Sequence, residues 1–168
     1  MSFAAALSVA ACVLAPAPTP LPELAGVPSA FEMTGRLAVR QGDRSDIAKL
    51  RWTHQSGRDL WVISSPIGNE VARIESGKAD ATLQRAGAAP ERAGDFASLT
   101  KRLLGIALDP AALSSWLHGA AATTPGGWNV AIEEKQRAGA IEIARRITAS
   151  RGDVSVRLVV DDYRALGE

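Results

Sequence analysis

From Phe31 to Arg40 the side chains alternate, with Phe31, Met33, Gly35, Leu37 and Val39 on one set of positions and Glu32, Thr34, Arg36, Ala38 and Arg40 on the other. That two-residue period is a strand with one wet face. Gln41-Gly42-Asp43-Arg44 turns the chain, and the next strand sets Ala48, Leu50 and Trp52 against Lys49, Arg51 and Thr53 before Gln55-Ser56-Gly57-Arg58 turns it again. Leu60 to Ser64, Glu70 to Glu75 and Ala81 to Arg85 continue the series, with turn signals at Pro66-Ile67-Gly68 and Ser76-Gly77. The first half reads as a meander of antiparallel hairpins.

At Asp95 the period changes. Phe96, Leu99, Leu103 and Leu104 fall on one face of a helix that Gly105 ends. A second short helix starts with Asp109 as cap and Pro110 in its first turn, carries Leu113, Trp116 and Leu117 as its apolar stripe, and stops at Gly119. Strand periodicity returns over Trp128 to Glu133, Ala140 to Thr148 and Asp153 to Asp161. About eight or nine strands and two short helices imply one large, curved antiparallel sheet whose concave face the helices cover. Helices this short need that packing to be stable.

One turn is unusual. Ser64-Ser65-Pro66-Ile67-Gly68-Asn69 interrupts an apolar stretch and puts a branched aliphatic residue at the tip of a hairpin. Pro66 fixes its own φ and Gly68 permits positive φ, so the backbone should turn sharply and leave Ile67 little core to join. Taken alone, a hairpin-tip isoleucine more often folds back onto its sheet, so the rest of the chain has to decide.

Composition narrows the choices. The chain has 168 residues, 46% hydrophobic and 22% charged, which suits one globular domain, here 29–168, with its helical cover near 95–119. Nineteen basic and eighteen acidic residues leave a net charge of +1 with no long run of either sign, which argues against nucleic acid as a partner. The single cysteine, Cys12, cannot form an internal disulfide. Val9-Ala10-Ala11-Cys12 fits the lipoprotein-processing pattern, in which Cys12 takes a diacylglyceryl group and becomes the mature N-terminus. The apolar stretch from Phe3 to Leu14 is far below the roughly 18 residues of a spanning helix, so 1–11 reads as a signal peptide, although no Lys or Arg precedes Arg36. No Asp follows Cys12, so sorting to the outer membrane is the expectation. Residues 12–28, with Pro16, Pro18, Pro20, Pro22 and Pro28, read as a lipidated, Pro-rich tether.

Nothing in the chain reads as catalytic machinery. His54 and His118 are read as surface or packing residues, no Cys/His/Asp cluster has metal-ligand spacing, and neither a P-loop nor a nucleophile elbow occurs. Glu133-Glu134 and Asp161-Asp162 are adjacent pairs whose side chains diverge in a strand. The expectation is a non-enzyme without metal or cofactor. What remains is an apolar set, Trp52, Trp61, Trp116 and Trp128 with Ile63, Val71, Leu103, Leu104, Leu113 and Leu117. It is either an ordinary core, which composition alone favours, or the lining of a ligand cavity.

Several local patterns then coincide in order: Phe31-Glu32-Met33-Thr34-Gly35-Arg36-Leu37-Ala38-Val39, Ser65-Pro66-Ile67-Gly68, Leu103-Leu104-Gly105, Trp116-Leu117-His118-Gly119 and Gly127-Trp128. Together, over Phe31 to Tyr163, they resemble the LolB family of outer-membrane lipoproteins. The resemblance implies a mainly β fold, a single-domain unclosed antiparallel β-barrel or half-barrel under a helical lid. It implies a protein on the periplasmic face of the outer membrane that accepts lipoproteins from a LolA-like periplasmic carrier and inserts them without an energy source. The ten apolar residues would then hold lipoprotein acyl chains, and the chain would act as a monomer at the inner leaflet. Pro66, Ile67 and Gly68 match the family's membrane-insertion loop, whose tip is leucine; Ile67 keeps the apolar volume and changes the shape. The missing basic residues before Arg36 and the run Ala120-Ala121-Ala122 depart from the family pattern. A static carrier of hydrophobic ligands and a structural envelope lipoprotein are the alternatives.

Overall fold

The computed structural model describes residues 28–77, 79–120 and 126–167. The expected signal peptide, Cys12 and all of the tether except Pro28 lie outside the described residues. Nine strands follow in chain order: β1 (Ala30–Gln41), β2 (Arg44–Gln55), β3 (Arg58–Ser64), β4 (Glu70–Ser76), β5 (Ala81–Arg85), β6 (Glu91–Ala93), β7 (Asn129–Ala138), β8 (Ile141–Arg151) and β9 (Val154–Ala165). They form one antiparallel sheet in the order β6-β5-β4-β3-β2-β1-β9-β8-β7, whose end strands β6 and β7 do not pair, so the sheet stays unclosed.

The alternation read from the sequence is the inward set of this sheet. Phe31, Met33, Leu37 and Val39 of β1, Leu50 and Trp52 of β2, Trp61 and Ile63 of β3, and Val156, Leu158 and Val160 of β9 are all buried in one apolar cluster. β1 pairs with β2 along its whole length and with β9 on its other side, so it is the spine of the molecule.

The helices α1 (Phe96–Leu104) and α2 (Pro110–Leu117) have the caps that their sequences advertise. Asp95 accepts the Ser98 N–H at 2.7 Å, and Gly105, at φ +80°, donates its own N–H to the Lys101 carbonyl. Asp109 accepts the Ala111 N–H at 3.0 Å, with Pro110 in the first turn. Between the helices, the hydroxyl of buried Thr100 donates to the Ala97 carbonyl and accepts the Leu108 N–H, both at 2.9 Å, which fixes the connection. α1 packs on β4, β5 and β6, and α2 on β8, so each covers one wing of the sheet. Phe96 and Leu99 from α1 and Leu113, Trp116 and Leu117 from α2 are buried, at roughly 1.5 to 3 kcal/mol for each large side chain.

Some boundaries differ from the sequence reading. β2 begins four residues before Ala48, at Arg44, where its residues are exposed and leave no alternation to read. β6 is only three residues long and carries no period. β7, β8 and β9 run on to Ala138, Arg151 and Ala165.

The ladder between β1 and β9 is irregular. Their register shifts between Thr34, opposite Asp162, and Gly35, opposite Val160, so Asp161 is the extra residue of a bulge. A Cβ on Gly35 would lie 2.2 Å from the Val159 carbonyl oxygen. Gly35→Ala therefore forces the two central strands apart. It should lower stability by about 1 to 3 kcal/mol, read as a reduced urea midpoint, as overpacking generally does.

Candidate functional site

The β3–β4 connection is a compact, cross-bonded turn. Ser65 donates its N–H to the Asn69 carbonyl at 2.8 Å, Gly68 donates to the Ser65 carbonyl at 2.8 Å, and the Asn69 N–H reaches the Ser65 hydroxyl oxygen at 3.2 Å. Gly68 sits at φ +102°, which glycine tolerates at no steric cost. These bonds hold the tip outward, and Ile67 is 85% exposed.

Behind the loop, the structure brings most of the apolar set together. Trp52, Trp61, Ile63, Leu113, Trp116 and Leu117 are all buried, and Leu103, Leu104 and Trp128 pack half-buried against the same cluster. The rings of Trp52 and Trp61 meet edge to face at 5.7 Å, Phe96 of α1 meets Trp61 at 5.0 Å, and Trp116 meets Trp128 at 5.9 Å. The Arg151 guanidinium lies over Trp128 at 4.5 Å. These side chains form one apolar cluster between sheet and helices. Surface hollows of about 810 and 440 Å³ lie elsewhere, one near Thr53, Arg58 and Asp80 and one at the base of the Ile67 loop. One polar atom inside the core is left over: the Trp61 indole N–H is buried without an acceptor among the described residues.

Val71 does not belong to the set. Ile63 pairs with Ala72 and Ser64 with Glu70, so Val71 is the extra residue of a bulge. The inward residues of β4 are Ala72 and Ile74, and Val71 is 42% exposed. A hydrophobic residue in an alternating run looks inward from the sequence; a bulge moves it out of phase.

The end of the sheet opposite the loop is closed by a polar and aromatic plug that the sequence reading had not singled out. Phe31 is completely buried and touches four rings: Trp52 at 4.9 Å, His54 at 5.2 Å, His118 at 5.2 Å and Tyr163 at 5.6 Å. Asp59 accepts the Trp52 indole N–H at 2.7 Å and bonds the His54 Nδ1 at 2.8 Å. His118 caps α2 and is buried. Its Nδ1 faces the Ser114 carbonyl at 2.7 Å and so carries the proton, which leaves Nε2 to accept the Tyr163 hydroxyl at 2.9 Å. Burial holds the His118 pKa below its ordinary value and pushes the Tyr163 hydroxyl up to about 12. A histidine directly after an apolar helical stripe was the available signal. Among the described residues no three His, Cys, Asp or Glu side chains gather as a metal site.

Residues 29–163 match the family described as outer membrane lipoprotein LolB. The outer-membrane lipoprotein LolB of Azoarcus sp. (strain BH72) is 27% identical, covering 98% of this chain and 96% of its own length. That of Thiobacillus denitrificans is 29% identical, with coverage of 98% and 95%. Among solved structures, a DUF1329 family protein from Desulfovibrio piger superposes with a TM-score of 0.56 at 7% identity, over 82% of this chain and 86% of its own, a likeness of fold alone.

The burial of His118 makes stability depend on pH. The unfolded chain binds a proton at His118 near pH 6.5, whereas the folded protein does so only at lower pH. The contribution is therefore complete above pH 6.5 and declines as pH falls toward the folded value. The urea midpoint should drop between pH 7.5 and 5.5 more steeply in the unmodified protein than in His118→Gln. Tyr163→Phe, which strands the His118 Nε2, should cost about 1 to 3 kcal/mol at pH 7.5 in the same measurement.

Proposed function

The chain belongs to the LolB family of outer-membrane lipoproteins, and from that membership we propose that it takes lipoproteins from a LolA-like periplasmic carrier and delivers them into the outer membrane through the Ile67 loop. In its coarser form the assignment is settled: this is an outer-membrane lipoprotein of lipoprotein localisation. The observation that carries the finer reading is the contrast at β3 and β4. Their inward residues are buried beneath α1, while Ile67 stands 85% exposed on a turn held by its own hydrogen bonds.

In this reading Cys12 carries the lipid anchor in the periplasmic leaflet, and the domain works as a monomer. Acyl chains enter between sheet and helices by displacing helix side chains, Phe96 over Trp61 among them. The unpaired Trp61 N–H marks where a cargo ester carbonyl gains a donor. The Phe31 plug closes one end, so the entrance lies toward the Ile67 loop. Each methylene covered gains about 0.8 kcal/mol, which is what opens the helices and what then favours release into a bilayer. Hand-over runs down a gradient of acyl-chain affinity, from carrier to this domain to membrane. The tip supplies the last step: an isoleucine entering lipid gains roughly 1.5 to 3 kcal/mol, enough to dock the domain briefly without trapping it.

Ile67→Glu separates acceptance from delivery. The variant should fold, take lipoprotein from a loaded LolA-like carrier, and insert it into liposomes at least about tenfold more slowly, the rate equivalent of losing the tip's transfer energy. Insertion at the unmodified rate would show that the tip has no such role.

A further inference from the structure

Three large hydrophobic residues are exposed among the described residues: Ile67, Ile47 at 62% and Val71 at 42%. Ile67 and Val71 share one hairpin, and Ile47 from β2 meets them at one end of the sheet. The last bonded pair of β2 and β3 is Lys49 with Ser64, and continuing that register sets Pro66 opposite Ile47. Val71 stands in the bulge beside Glu70, where β4 leaves the same loop. With strands about 4.8 Å apart and a rise of about 3.3 Å per residue, the three side chains lie within roughly 15 Å of one another.

Charge is arranged beside them. Ile47 shares the outer face of β2 with Lys49 and Arg51, which pair across the ladders with Arg36 and Thr34 of β1 and with Ser64 and Val62 of β3. Nearby carboxylates already have partners, Asp46 with Arg44, Glu70 with Arg73 and Asp161 with Arg36, whereas Lys49 and Arg51 have no ion pair among the described residues. Both line the hollow of about 440 Å³ at the base of the loop, together with Ser64 and Gly68. Apolar residues with a cation about 7 Å behind them match the order of acyl boundary and phosphate layer at a membrane surface.

The geometry points to a membrane-docking surface wider than the loop tip, in which Ile47 and Val71 enter the acyl boundary with Ile67 while Lys49 and Arg51 meet the phosphates of anionic phospholipids. This inference rests on the reading of Ile67 as a membrane contact. The chain outside the structure permits the orientation. It enters the domain at Ser29, at the end opposite the loop, and the seventeen residues from Cys12 to Pro28 can span roughly 50 Å. The way back along β1 to the tip is about 30 Å.

The test uses the full chain carrying Cys12→Ser, so that no acyl anchor contributes, and measures flotation with phosphatidylethanolamine/phosphatidylglycerol vesicles. Ile47→Thr and Val71→Thr keep β-branching at exposed positions, and thermal midpoints confirm that each variant is folded. Each should weaken vesicle binding about three- to tenfold. Lys49→Gln should remove about fivefold of the gain in affinity seen when phosphatidylglycerol replaces phosphatidylcholine. Unchanged binding in both threonine variants overturns the inference. If they bind vesicles normally but capture less lipoprotein from a loaded LolA-like carrier, the patch docks protein and the inference also fails. Ile67→Glu, run in parallel, keeps the two readings apart. Lost binding there with normal Ile47→Thr and Val71→Thr leaves the tip and removes the wider surface; the reverse pattern keeps the wider surface and removes the tip.

Discussion

The contacts of one ring, Phe31, hold the rest of the molecule in register. Phe31 opens the central strand, is completely buried, and touches side chains from β2, β9 and the end of α2. An unclosed sheet has no barrel closure to fix its curvature, so the position of its helical cover must come from side-chain contacts. Phe31 supplies them where the polar chains Trp52–Asp59–His54 and Ser114–His118–Tyr163 flank it on two sides. The aromatic contacts add dispersion and quadrupole energy, and the polar chains add direction, because each buried donor has one acceptor in reach.

That plug makes the two ends of the sheet unlike. At the plugged end α2 is tied to β9 by a hydrogen bond between buried partners. At the other end α1 finishes in Gly105, whose neighbourhood includes the Gln41 side chain, and its polar ties to the sheet are the exposed ones of Arg102 to the Arg92 carbonyl and Glu91. Apolar contact is non-directional and exchanges readily for other apolar contact, such as an acyl chain. Buried hydrogen bonds do not exchange so freely. A domain that opens to take a greasy ligand would then part at the loop end and keep its hinge at the Phe31 end.

Much of this was legible in the sequence for simple reasons. β1, β3 and β9 bury one face each, so burial and alternation coincide, and both helices carry a carboxylate cap whose partner lies two or three residues on. The Ile67 turn was legible because Pro66 and Gly68 restrict the backbone more than the side chain does. Three things were hidden. Val71 is displaced by a bulge, which inserts a residue without changing composition. The first half of β2 is exposed on both faces, so it carries no period, and β6 is too short to show one. The plug depends on residues from five elements, and His118 looks like any helix-end histidine until Tyr163, 45 positions later, is brought to it. The choice between ordinary core and lined cavity was open in the sequence because both need the same residues. The structure gathers Trp52, Trp61, Ile63, Leu113, Trp116 and Leu117 into one cluster, which both readings allow.

For the docking role proposed above, an isoleucine suits the tip. A loop that docks a domain must not lose in ordering what it gains in burial. Ser65, Gly68 and Asn69 already fix the turn by three hydrogen bonds, and a β-branched side chain has few rotamers left to lose. Almost all of the transfer energy of Ile67 is then available for docking. The turn is also short, since Asn69 returns to Ser65 after three intervening residues, which suits the shallow contact proposed above. A deeper or larger apolar loop would bind more tightly, but it would slow departure, and a delivery domain has to leave the bilayer to accept the next cargo. Shallow reach and low ordering cost together suit a contact that forms and breaks once per delivery.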